Sequence, residues 1–162
     1  MSTTSKHLAI LDALAAALNN DADISSRNFR VRKKPYNRGN SWEKGGFVCP
    51  ERVSTKPHEN TRNEVIYDCL IAISDPTDAD LTSSMTTHLG DIERIENIFN
   101  GHAHSQMPTS LNEVSGAGFR VEKTSISRGN RILAGAFEAG FDASSVIVSV
   151  SCTMNRYDGS AL

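Results

Sequence analysis

Asp75, Asp78 and Asp80 place three carboxylates within six residues, and closely spaced oxygen ligands can hold a hard cation. A calcium loop of the EF-hand type also needs a glycine at its sixth position and a glutamate at its twelfth. Counted from Asp78, those positions are Ser83 and Leu89; counted from Asp75, they are Asp80 and Thr86. Neither register fits. The spacing suits a chain reversal better: Asp75-Pro76 stops a strand, because proline has no N–H for the ladder. Asp80 then serves as a helix cap, accepting from the exposed N–H groups of the first turn.

The other reactive residues form no recognisable constellation. His102 and His104, with His88 upstream, lack partners at zinc spacing and are expected to be solvated loop histidines. There is no G-x-S-x-G elbow and no P-loop. Gly116-x-Gly118 lacks the third glycine and the following helix of a dinucleotide fingerprint. Cys49, Cys69 and Cys152 are far apart, sit in strand-like stretches and are expected to pack as small apolar residues. No catalytic residue, metal or cofactor is expected, and the chain is read as a non-enzyme.

What remains is FRVRKKPYNRGNSWEK, residues 29–44. Arg30, Arg32, Lys33, Lys34 and Arg38, interleaved with Tyr36 and Trp42, could contact phosphates and stack bases. The same residues could equally form a strand edge facing solvent or another subunit. From Arg27 to Lys44 seven basic residues face Glu43 alone, a local +6, so the remainder carries −8 for a net charge of −2. Such asymmetry serves nucleic acid, or joins copies of one subunit head to tail.

These residues must be positioned by the elements around them. Leu8, Leu11, Leu14 and Leu18 predict a helix over 5–19, with Ser5 as its N-cap. Arg27–Tyr36 predicts a strand with a basic outer face, ended by a turn at 37–40. A short strand follows at Phe47–Val53, and the polar stretch Ser54–Arg62 is expected to be loop. Val65–Ser74 is apolar on both faces, the signature of a central strand. Leu81, Met85, Leu89, Ile92, Ile95 and Phe99 fall on one stripe of a helix over 81–99. Residues 100–118 are expected to be a flexible loop, running into a strand over Val114–Ser127 broken at its glycines. Arg131–Phe141 suits helix or strand, and Ser144–Met154 is a closing strand with Val146, Val148 and Val150 on one face.

The order of elements predicts a single α+β domain over residues 1–162: a mostly antiparallel sheet with two main helices on one face. Its length allows one real core. Asp12 interrupts the apolar N-terminal stretch, so no signal peptide is expected, and no run approaches the roughly 18–20 apolar residues of a membrane span.

This organisation resembles the tail-terminator and head–tail joining proteins of tailed bacteriophages. The matching pieces are HLAILDALAAALN, the strand YDCLIAISD at 67–75, the DADL turn, the helix LTSSMTTHLGDIERIENIF, and VIVSVSCTMNRYDG at 146–159. Arg156 holds the place of the arginine that follows the last strand in such proteins. The chain departs from the pattern around residues 33–60 and in the 100–118 loop. The resemblance implies a virion structural protein, assembled in the host cytoplasm into a ring, commonly a hexamer, at the head-proximal end of the tail. Its partners would be copies of itself, the tail tube protein and the head–neck connector or stopper, with DNA in the lumen. The expected interface residues are Arg30, Arg32, Lys33, Lys34, Arg38, Trp42 and Arg156. The alternatives are another head–tail joining component, such as a head-completion or stopper protein, and a nucleic-acid-binding module using residues 29–44.

Overall fold

The computed structural model describes residues 5–37, 41–59, 62–77, 81–100, 107–116, 118–132, 136 and 140–155. The first helix, α1 (Lys6–Asn19), starts as its sequence requires: the Ser5 hydroxyl accepts from the Leu8 N–H at 3.3 Å. Its buried face is Ile10, Leu11, Leu14 and Leu18, with Ala13 and Ala15 allowing close approach. At its end the Asn19 side chain imitates a strand partner. Its Oδ1 accepts from the Phe29 N–H at 2.7 Å, and its Nδ2 donates to the Phe29 carbonyl at 3.0 Å. That bracket delivers the chain, through a 3-10 turn at Ser25–Arg27, into β1 (Arg30–Val31).

The strand predicted over Arg27–Tyr36 therefore shrinks to two residues. Beyond it lie a small hairpin of β2 (Tyr36–Asn37) and β3 (Ser41–Trp42), and then two long strands, β4 (Gly45–Glu59) and β5 (Arg62–Pro76). The expected loop at Ser54–Arg62 is thus mostly strand: β4 pairs with β5 from Gly45↔Ser74 to Glu59↔Arg62. Thr55, Lys56 and Arg62 are exposed and Ser54 is half-buried, and a strand segment without a buried side carries no alternation to read. Helix α2 (Leu81–Phe99) follows, then the short α3 (Thr109–Asn112), and finally β6 (Phe119–Ile132) and β7 (Phe141–Asn155).

The sheet order is β1-β4-β5-β7-β6, antiparallel throughout except for the parallel β1–β4 contact. The expected fold, α+β with two main helices on one face of a mostly antiparallel sheet, is the fold observed. Strand β5 is central, as its two apolar faces require. Val65, Tyr67, Cys69, Ile71 and Ile73 enter the main core with Val146, Val148, Val150 and Cys152 of β7. Leu70 and Ala72 point to the other side, into a smaller cluster with Trp42, Phe47, Cys49, Ala136 and Ala143. The parallel β1–β4 crossover explains this second core, because the intervening β2–β3 hairpin carries Trp42 to the face away from the helices.

Three further expectations change. The α2 stripe is rotated: His88, Ile92, Ile95 and Phe99 are buried, whereas Leu89 is 40% exposed. The expected loop at 100–118 contains α3, whose Leu111 is fully buried, with Met107 beside it in the core. The ambiguous 131–141 stretch ends β6 at Ile132 and begins β7 at Phe141, with Ala136 buried between them. Asp80, expected to cap α2, lies outside the described residues, as do His102 and His104.

Candidate functional site

The densest polar arrangement is built around Arg27. The 3-10 turn presents its guanidinium inward, where the side chain is only 7% exposed. Its Nε donates to Asp91 Oδ2 of α2 at 2.6 Å, and its Nη1 donates to Asp75 Oδ1 of β5 at 2.9 Å. The other Asp75 oxygen lies 3.1 Å from Nδ1 of His88, itself 7% exposed. Burial pushes the Asp75 carboxyl upward, but the His88 hydrogen bond and the Arg27 charge and hydrogen bond outweigh it and hold the group below its ordinary value. Arg27, Arg30, Lys44, Asp75, Thr87 and Asp91 border a cleft of about 500 Å³ at this junction.

This geometry fastens elements together. One cation joins the turn after α1, the end of β5 and the middle of α2 through charge-assisted hydrogen bonds. The second nitrogen of His88, Nε2, is buried with no hydrogen-bond partner among the described residues. Asp75, considered in the sequence as a possible metal ligand or strand stop, ends β5 one residue before its last and has its carboxylate taken by Arg27 and His88. His88, expected to be solvated, is part of the core wall.

The basic segment is divided by the fold. Arg27 is neutralised inside. Arg30 and Arg32 share one carboxylate, Glu43, at 3.2 and 3.5 Å, and the Arg30 guanidinium sits 5.2 Å over the Phe47 ring. Lys33, Lys34 and Lys44 are exposed. Trp42 is corrected: at 8% exposure its ring packs into the second core, against Phe47, Leu70 and Ala72, and is not presented for stacking on a base or a partner. The apolar ring is worth more buried beside those residues than in water. Arg38 and Arg156 lie outside the described residues.

Other cationic residues are brought in by strand register. On the sheet face away from the helices, Arg52 opposes Asp68, Arg128 opposes Ile147 and Lys123 opposes Ser151. Arg52 reaches Asp68 at 3.4 Å yet keeps 72% of its side chain in water, while the buried Asp68 also accepts from Ser149 Oγ at 2.5 Å. Arg52 and Arg128 border one depression of about 200 Å³ with Glu51, Asp68, Ser127 and Ile147. Sequence inspection missed this group because Arg52 lies on β4 and Lys123 and Arg128 on β6, strands brought onto one face only once β4, β5, β7 and β6 pair in register.

The charges as a whole divide by layer. Among the described residues, the helices with their turns (5–29, 81–100, 107–116) hold three basic and seven acidic residues, a net −4. The strands with their connections (30–37, 41–59, 62–77, 118–132, 136, 140–155) hold twelve basic and eight acidic, a net +4. The three cysteines are buried and free, and burial pushes the Cys49 and Cys152 thiols up to about 12 and Cys69 upward too, so all are protonated packing groups at neutral pH. No group of three or more His, Cys, Asp or Glu among the described residues could hold a metal ion, and no described helix is long and apolar enough to cross a membrane. No protein-family model and no curated protein matches this chain.

Proposed function

We propose that this chain is a structural component of a tailed-phage virion: a tail terminator that assembles into a ring, closes the tail tube and docks it to the head–neck connector. The observation that carries the reading is the opposite net charge of the two layers among the described residues, −4 on the helices and +4 on the strands. Heterologous contacts between unlike patches are what a closed ring requires. Polar clusters that tie elements together, as around Arg27, suit a rigid building block. The resemblance in element order points the same way, and the exposed Lys33 and Lys34 supply a margin through which copies or neighbours would be engaged.

The test is the mass of the purified protein in solution, with an Arg32→Glu/Lys34→Glu variant beside it. The wild type is expected to form a discrete ring, and the variant to keep its circular dichroism spectrum but fail to assemble. A variant that assembles normally on sizing and in negative-stain images would count against this use of the segment. A second reading, a nucleic-acid-binding module, draws on the exposed Lys33, Lys34 and Lys44. It requires DNA binding that weakens steeply with salt, and no binding at low salt would dismiss it.

A further inference from the structure

We infer that copies of this chain meet layer against layer, the cationic sheet face of one seating on the acidic helix face of the next. This rests on the assembly reading above and says which surfaces join. The cationic half is Arg52, Lys123 and Arg128. All three are exposed and lie on neighbouring rows of the sheet face away from the helices. The acidic half is Asp12 on α1, Glu93 on α2 and Glu113 beside α3, all exposed and all on the helix layer. None of these six side chains is needed for the fold in the way Arg27 is. Lys123, Arg128, Asp12, Glu93 and Glu113 make no ion pair among the described residues, and Arg52 pairs with Asp68 only at its tip.

The contact is necessarily heterologous, because a two-fold axis would set like charge against like. Opposite faces of one subunit then carry opposite sign, so each added copy presents the same cationic or acidic face to the next. The occupant is a second copy, because complementary charge is already present on this molecule, −4 on the helix layer and +4 on the strand layer among the described residues. Exposed pairs of this kind contribute register and association rate, and salt weakens them. Assembly is therefore expected to be sensitive to ionic strength.

The experiment uses two double variants at exposed positions, Lys123→Glu/Arg128→Glu and Glu93→Lys/Glu113→Lys, in the full chain. Circular dichroism and urea midpoints check that each folds. Mass photometry and sedimentation velocity at low salt read assembly. Each variant alone is expected to need at least about tenfold more protein to assemble than the wild type. Mixed one to one, the two variants are expected to assemble again, since an all-acidic subunit can alternate with an all-basic one. Assembly of either variant at wild-type concentrations, or failure of the mixture to recover, overturns the inference and leaves the ring reading standing. Loss of short-DNA retention with assembly unchanged would instead make the sheet face a polyanion surface, and overturns it too. A wild type that stays monomeric at every concentration removes the ring reading and this inference together.

Discussion

An arginine as deeply buried as Arg27 must find its counter-charges within the molecule, and it finds two, Asp75 and Asp91. Removing one member of such a group leaves the others desolvated without compensation. Arg27→Met is therefore expected to lower the unfolding free energy by about 3 kcal/mol, measured by urea unfolding at pH 7. The pH dependence carries a sign. Asp75 titrates below its unfolded value, so its contribution is complete above the ordinary carboxylate range near about pH 4 and is lost as pH falls through the folded value. The gap between wild type and Arg27→Met should then narrow as pH falls below that range, and a constant gap would separate the loss from Asp75. At this scale the sequence was only partly legible. Asp75 was identifiable as the end of a strand, but its partners lie 48 and 13 positions away, and no spacing rule links an arginine in a turn to them. His88 was misplaced because its neighbour Leu89 fits the apolar stripe, whereas the helix turns His88 inward, where it meets Asp75 at hydrogen-bond distance.

Elements with a buried side were legible, and those without one were not. The patterns of β5 and β7 matched their faces, and that of α1 did so except at Leu8, which is 46% exposed while Ile10 enters the core; burial selects apolar side chains at the period of the backbone. The outer half of β4 read as loop, since its described residues such as Thr55 and Lys56 are polar and exposed. The glycines that open β4 also carried information that spacing alone could not interpret. Gly45 holds φ +138°, a conformation that favours glycine, and a Cβ on Gly46 would stand 2.4 Å from the Phe29 ring. Phe29 is 3% exposed and fixed from behind by Asn19, so it has little room to move. Gly46→Ala is expected to lower stability by roughly 1–3 kcal/mol through overpacking, seen as a lower urea midpoint. An unchanged midpoint would mean that β1 can shift away from β4 without penalty.

At the scale of the whole molecule, the sequence already carried the charge asymmetry but assigned it to one segment; the fold reassigns it to layers. A linear run of basic residues is visible in a chain, whereas a face assembled from β4 and β6 is not. The same layering makes two cores of unequal size on opposite sides of one sheet. The helix side holds most of the buried apolar residues, while the far side rests on Trp42, Phe47, Leu70 and a few small residues, closed in part by a two-residue-stranded hairpin. A small core under a short hairpin opens at lower free energy than the main core, and it need not take the helices with it. The cysteines report this, because Cys49 lies in the small core and Cys69 and Cys152 in the large one. All three are protonated and buried in the native state, so a thiol reagent reaches each only after opening. Under native conditions Cys49 is expected to be modified first, with a rate that rises more weakly with urea than those of Cys69 and Cys152, as peptide mapping of the labelled thiols would establish. Modification of all three at one rate, with one urea dependence, would show instead that the two sides of the sheet open as a single unit.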